Sequence, residues 1–238
     1  CYRCQEVCPA FAAGLDLNPK QLILDLRTAL HRDGNLILQG ETPAISLVGG
    51  TITSSVLWAC TTCGACVNKC PAFIDHISDV VSMRRYLVNE GEVDDMLQTS
   101  LANLGRYGNS FGKSNRLRAG WVKDSELEIK DAAKEAVEYL WFVGDYASFS
   151  PSVVEATIKT AKVFQHAGLD FGILFDAERN AGNDVRRVGE EGLFEVLVEQ
   201  NCKALAKADF KAIVTTDPHT YNTLKNEYPQ DVLNGRPI

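Results

Sequence analysis

Seven of the eight cysteines in this 238-residue chain fall into two short runs. Cys60, Cys63, Cys66 and Cys70 are separated by gaps of two, two and three residues, and Pro71 follows. Cys1, Cys4 and Cys8 repeat the last three positions of that run, and Pro9 follows. Thiolates at this spacing suit [4Fe-4S] cubes. Three of them close on one cube from a tight turn, eased here by the small residues Gly64 and Ala65, and the fourth, ahead of proline, reaches the other cube. Zinc is the competing chemistry, but structural zinc usually takes two separated pairs of ligands rather than one dense run.

The two runs complete each other. The spacing predicts one cluster on Cys60, Cys63, Cys66 and Cys8. It predicts a second on Cys1, Cys4, Cys70 and a cysteine three places before Cys1, upstream of this chain. The expected cofactors are therefore two 4Fe-4S clusters, with Cys1, Cys4, Cys8, Cys60, Cys63, Cys66 and Cys70 as iron ligands and no catalytic residue assigned. Cys202 stands alone in a helical pattern, where a cysteine is usually a small hydrophobe, and it is given no role.

The remaining chemistry-bearing residues are weaker. Arg84-Arg85 and Arg186-Arg187 read as solvated faces or intramolecular ion pairs. Gly182, Gly189 and Gly192 do not follow a dinucleotide fingerprint, and no phosphate-loop lysine is present. His31, His76, His166 and His219 are scattered. The formal net charge of -7 disfavours nucleic acid as a partner, since phosphate binding needs a basic surface. No apolar run is long enough for a membrane span. A hydrophobic share of 45% and a charged share of 23% describe a folded chain. The opening on Cys1, inside a motif, and the stop at Arg236-Pro237-Ile238 read as a piece of a longer protein. Cysteines at metal spacing without a signal peptide point to a reducing, cytoplasmic compartment.

The elements that must position the cysteines are helical. Asn18-Pro19 opens a helix through Gln21–His31. Thr53-Ser54 opens a short one into Trp58 and Cys60. Asp75 caps a helix through Val80, Met83 and Leu87, and another runs from Glu92 to Leu104. Residues 107–136 read as a linker whose aromatics, Phe111 and Trp121, anchor it across the cluster domain. From residue 137 strands and helices alternate: strands at Tyr139–Val143, Phe171–Phe175 and Ala212–Thr216, helices at Pro151–Gln165, Val188–Ala206 and His219–Glu227. That order predicts an α/β layer with a short parallel sheet. The expected organisation is thus α plus α/β: an all-helical two-cluster ferredoxin domain over 1–106, a linker over 107–136, and an α/β domain over 137–238. Function in such sheets sits at the carboxyl ends of strands, here Gly144-Asp145, Glu178–Asp184 and Asp217–Thr220.

With these stretches together, the chain resembles the iron-sulfur subunits related to heterodisulfide reductase. That group includes the iron-sulfur subunits of glycerol-3-phosphate, glycolate and lactate oxidation and the membrane partners of electron-transfer flavoprotein. The matching stretches are Cys60–Pro71, Met83–Tyr86, Gly189–Phe194, Gln200-Asn201, Pro218-His219 and Asn222–Pro229. The resemblance implies cysteines at the strand ends of the α/β domain, where they would hold an unusual cluster or a thiol site. This chain has Asp145, Asn180, Asp217 and Thr220 at those places. An oxygen and nitrogen metal site on Asp145, Asp217 and His219 suits iron-sulfur chemistry poorly. Asp217, just ahead of Pro218, reads instead as a helix N-cap. A second, cysteine-bearing repeat is expected to follow residue 238.

What the resemblance implies is an electron-transfer subunit working between a flavin and a quinone, haem or disulfide site. Its partners would be a flavoprotein or a membrane cytochrome or quinone-reactive subunit. Its place would be cytoplasmic, or peripheral on the cytoplasmic membrane face through a partner or a further segment. The alternatives are a standalone reductase whose α/β domain binds substrate, and a scaffold with structural clusters.

Overall fold

The computed structural model describes residues 1–125, 127–230 and 235–238, and its contacts divide them into two compact units. The first comprises Cys1–Val93 with Arg187–Glu190, and the second comprises Asp94–Arg186 with Glu191–Ile238.

The first unit is helical: α1 (Arg3–Glu6), α2 (Pro9–Ala12), α3 (Pro19–Leu38), α4 (Ser54–Ala59), α5 (Ala65–Asn68) and α6 (Ile77–Asn89). Asn18 caps α3 as its sequence predicts. The side-chain oxygen accepts from the amides of Lys20 at 3.1 Å and Gln21 at 3.2 Å, and Pro19 takes the first helical position. Pro9 starts α2 in the same way, with Cys8 at the N-cap position. The core gathers Ala10, Leu17, Leu22, Ile52, Leu57, Val80, Met83 and Leu87 with Cys8. Leu57 and Leu87 are wholly enclosed, and each such leucine contributes about 1.5–3 kcal/mol by leaving water. This core locks α4 onto α6, so the run entering Cys60 is fixed against the helix that leaves the second motif.

The second unit is an α/β layer. Its elements are α7 (Asp95–Tyr107), α8 (Gly120–Asp124), β1 (Lys130–Asp131), β2 (Val137–Phe142), α9 (Asp145–Phe149), α10 (Pro151–His166), β3 (Phe171–Ile173), α11 (Asn183–Val188), α12 (Glu191–Leu205), β4 (Phe210–Thr215) and α13 (Pro218–Asn226). The strands form one parallel sheet in the order β1-β3-β2-β4, with Tyr139 opposite Phe171 and Ala212. Successive side chains of β2 leave opposite faces of the sheet. Leu140 and Phe142 join Val185, Phe194, Leu197, Leu205 and Leu224 on one side. Trp141 joins Trp121, Ala161, Phe171 and Ile173 on the other. Both faces being covered explains the nearly continuous apolar run in β2.

Two expectations change here. The described residues of 107–136 belong to the α/β unit. Phe111 packs on Tyr146 and Phe149, with ring centroids 5.2 and 5.8 Å away, and Trp121 packs on Trp141 at 5.8 Å. Both aromatics find their apolar partners within the α/β unit, and Lys130-Asp131 adds a strand to its sheet. Helix α7 also goes with this unit: Leu104 is part of its core, alongside Phe194 and Leu197.

Candidate metal centre

The second cysteine run is shaped by three left-handed residues. Gly64 (φ 72°) ends the loop and starts α5, while Thr62 (φ 52°) and Phe73 (φ 55°) hold the same unusual conformation on non-glycine side chains. Each of these two turns aims a backbone amide at a sulfur. The amide of Thr62 donates to Cys60 Sγ at 3.4 Å, and that of Ile74 donates to Cys70 Sγ at 3.5 Å. Strain of this kind costs on the order of 1–3 kcal/mol per residue and persists where surrounding structure over-determines it.

The two cysteine runs approach each other. Cys60 feels the charges of Cys8 and Cys63, and Cys66 feels those of Cys60 and Cys63. Cys60 packs against the core that holds Cys8. On the other side, α1 packs against α5, and Cys70 feels the terminal amine at Cys1. Burial is the main influence on Cys60 and Cys66. It pushes the Cys60 thiol up, and the Cys66 thiol to about 11. The backbone amides of Ile74 and Ala72 are the main influence on Cys70, and they pull its thiol down. Buried thiols raised in this way give up their protons when a metal replaces them.

The donor set fits an iron-sulfur group. It is entirely sulfur, and amides already point at two of the sulfurs. Among the described residues, no three or more His, Cys, Asp or Glu side chains gather tightly enough to share one metal ion.

Two residues beside the thiols carry no signal in the sequence. His76 is buried, with Nε2 3.3 Å from Cys66 Sγ. Toward a thiolate the imidazole can only donate. Burial lowers its pKa, against the opposing charges of Asp75 and Asp79. Arg84, expected on a solvated face or in an ion pair, is instead 4% exposed. Its guanidinium donates to the carbonyls of Leu57 and Cys60 at the end of α4. Arg186 does form the ion pairs expected of it, with Glu191 at 2.8 Å and Glu227 at 3.2 Å. Cys202 packs against the core of the α/β unit, as a small hydrophobe would.

The strand ends of the α/β unit also come together. Asp145, Asn180, Asp184, Asp217, His219 and Thr220 line one cavity of about 560 Å³. Gly144 enters it at φ 84° and ψ 169°, a conformation essentially reserved for glycine. Two of the three aspartates there, Asp145 and Asp217, are occupied by the fold. Asp145 accepts from Arg118 at 2.8 Å, from the Asn180 side chain at 2.8 Å and from the Ser110 amide at 3.1 Å. Asp217 caps α13 through the amides of His219 and Thr220, as its sequence predicts. Glu178, almost wholly buried, accepts from the amides of Val143 and Gly144 and from Arg118 at 3.1 Å. Burial pushes its carboxyl above the usual range, and Arg118 works against that. Asn201, fully buried, holds the loop after β3 by accepting from the Arg179 amide and donating to the Asn180 carbonyl.

Residues 1–74 match the family described as the 4Fe-4S dicluster domain. Over 99% of its length the chain is 37% identical to the probable iron-sulfur-binding oxidoreductase FadF of Bacillus subtilis. Over 97% it is 33% identical to the EtfAB:quinone oxidoreductase of Syntrophomonas wolfei. It is 25% identical, again over 97% of its length, to one of the subunits of the dihydromethanophenazine:CoB–CoM heterodisulfide reductase of Methanosarcina barkeri. The chain spans 39%, 36% and 56% of these three relatives. No solved structure matches it. Among the described residues no helix is long and apolar enough to cross a membrane. With a 4Fe-4S dicluster domain at its start and likeness along nearly its whole length to proteins named as iron-sulfur oxidoreductases and, at lower identity, to a heterodisulfide reductase subunit, the chain resembles the iron-sulfur subunits related to heterodisulfide reductase.

Proposed function

We propose that this chain relays single electrons through two 4Fe-4S clusters within a larger oxidoreductase, between a flavin and a quinone, haem or disulfide site. Cys8, Cys60, Cys63 and Cys66 would hold one cluster. Cys1, Cys4 and Cys70 would hold the other, with a fourth ligand at the position three residues before Cys1. A bound cluster supplies one-electron storage without bond making. The protein's part is to fix the sulfurs, to shield Cys8 and Cys66 from water and to offer amide donors to the sulfurs. The observation that supports this reading is that the two runs approach each other: Cys60 packs against the core that holds Cys8, and α1, which carries Cys4, packs against α5, which carries Cys66. Clusters held in this way would be neighbours, which suits a relay. The relative named as an EtfAB:quinone oxidoreductase makes a flavoprotein and a quinone-reactive partner the first candidates.

The alternative, a reductase whose α/β unit binds substrate itself, draws on the cavity at the strand ends. Among the described residues none of its lining side chains is a thiol, and Asp145 and Asp217 are committed to the fold. The α/β unit is better read as support and docking surface.

The crossing has a direct test. Cys8→Ser should abolish the paramagnetic signal of the cluster on the distant Cys60 run, and Cys70→Ser that of the cluster on Cys1 and Cys4. Loss of the sequence-local signal in each variant would reject the assignment.

A further inference from the structure

We infer that Arg84 is a positioning and tuning residue that raises the reduction potential of the cluster on Cys60, by holding a fixed positive charge beside it. This rests on the cluster assignment proposed above. Helix α6 carries Arg84 into the core of the cysteine-bearing unit, where it is 4% exposed. Its guanidinium donates to the Leu57 carbonyl at 2.6 and 3.1 Å, to the Arg187 carbonyl at 2.9 Å, and to the carbonyl of Cys60 itself. It also lies over the Trp58 ring, 5.1 Å from the centroid. These partners are neutral, and among the described residues no carboxylate pairs with it.

A buried charge without a counter-charge costs several kcal/mol, so a protein keeps one where some other negative group balances it. The residue to which Arg84 is tied is Cys60, whose thiolate would supply the balancing negative charge once it ligates the cluster. The bond to the Cys60 carbonyl fixes the cation to the ligand residue, so it cannot swing away. The carbonyls of Leu57 and Cys60 also belong to the end of α4, where helix carbonyls lack partners. Arg84 thereby sets the direction in which Cys60 leaves the helix.

Reduction adds one electron to the cluster, taken from a one-electron donor, with no bond formed or broken at the protein. The reduced cluster carries one more negative charge than the oxidised one. A fixed cation in a site shielded from water therefore favours the reduced form. A lysine at the same place would keep the charge while losing the planar fork that reaches several carbonyls at once.

The test is a redox titration followed by electron paramagnetic resonance, on the full-length protein with iron and sulfide counted. Wild type is compared with Arg84→Gln and Arg84→Lys. In Arg84→Gln the reduced-to-oxidised ratio of the Cys60 cluster should fall about tenfold at a given potential, a drop of about 59 mV for one electron. Arg84→Lys should hold most of the wild-type ratio. The cluster on Cys1, Cys4 and Cys70 serves as the internal reference and should shift less than the Cys60 cluster in both variants. An unchanged potential in an iron-replete Arg84→Gln protein overturns the inference. So does a fall in Arg84→Lys as large as that expected of the neutral variant, because the charge would then not be the cause. Should Arg84→Gln fail to retain the cluster, Arg84→Lys decides alone by the same criterion. A wild-type protein with no signal from the Cys60 run overturns the cluster assignment itself, and an absent signal is distinguishable from a shifted one.

Discussion

Replacing Arg118 with methionine removes the cation held between two buried carboxylates while keeping much of its volume. The side chains of Arg118, Asp145 and Glu178 are 3%, 2% and 1% exposed, and the two ion pairs measure 2.8 and 3.1 Å. Without the guanidinium, Asp145 keeps the donors from Ser110 and Asn180, and Glu178 keeps the amides of Val143 and Gly144. Neither acid keeps a counter-charge from this triad. Breaking a buried pair by removing one partner costs about 3–5 kcal/mol. At about 2–4 °C per kcal/mol for a chain of this size, the melting temperature should fall by about 6–20 °C.

The loss should also depend on pH, with a defined sign. The carboxyl of Glu178 is already raised by burial in the wild type, and Arg118 is the main influence lowering it. Removing Arg118 raises it further. A carboxyl whose folded value lies above its unfolded one binds protons more readily when folded, so stability is lost as pH rises through that window. Arg118→Met should therefore be closer to wild type at pH 5 than at pH 7.5. Adding Glu178→Gln to Arg118→Met should recover part of the loss at neutral pH, since one orphaned charge is gone. Urea unfolding followed by far-ultraviolet circular dichroism at the two pH values measures all three. A loss under about 1 kcal/mol at neutral pH, the range of an exposed pair, would refute the reasoning. So would a loss that does not shrink in acid.

Two further changes probe the strand ends. Asp217→Ala removes the cap of α13 and should cost about 1 kcal/mol in the same unfolding assay, with the iron content unchanged. A change in iron would place Asp217 in a metal site after all. Gly144→Ala forces a Cβ onto a backbone conformation that only glycine tolerates and should cost about 1–3 kcal/mol. A neutral result would mean that the turn after β2 relaxes freely and does not fix the amide that Glu178 binds.

The parts legible in the sequence were those with a local cause. The cysteine gaps, the Asn18 and Asp217 caps and the apolar runs of β2 and β4 each depend on neighbours within a few residues. What the sequence hid depends on distant ones. Lys130-Asp131 is too short to show strand alternation, and becomes a strand only because β3 offers it an edge. Phe111 and Trp121 announce burial but not against which unit, since any apolar surface satisfies an aromatic ring. Arg84 looks like a surface residue because arginine usually is one, and its burial is decided by carbonyls at Leu57 and Cys60. His76 gives no sign of Cys66 because only the turn through Phe73 brings the two together. The buried triad is likewise unreadable in advance: Arg118 lay in an apparent linker, 60 residues from Glu178.

The central claim is a pair of clusters on the two cysteine runs, and metal stoichiometry tests it most directly. Iron and acid-labile sulfide should be counted per chain on protein that carries both cysteine runs in full, alongside the paramagnetic spectrum after reduction. Two [4Fe-4S] clusters require about eight irons and eight sulfides from this region, with two reducible signals. About four irons with a single signal, or zinc in place of iron without sulfide, would contradict the account.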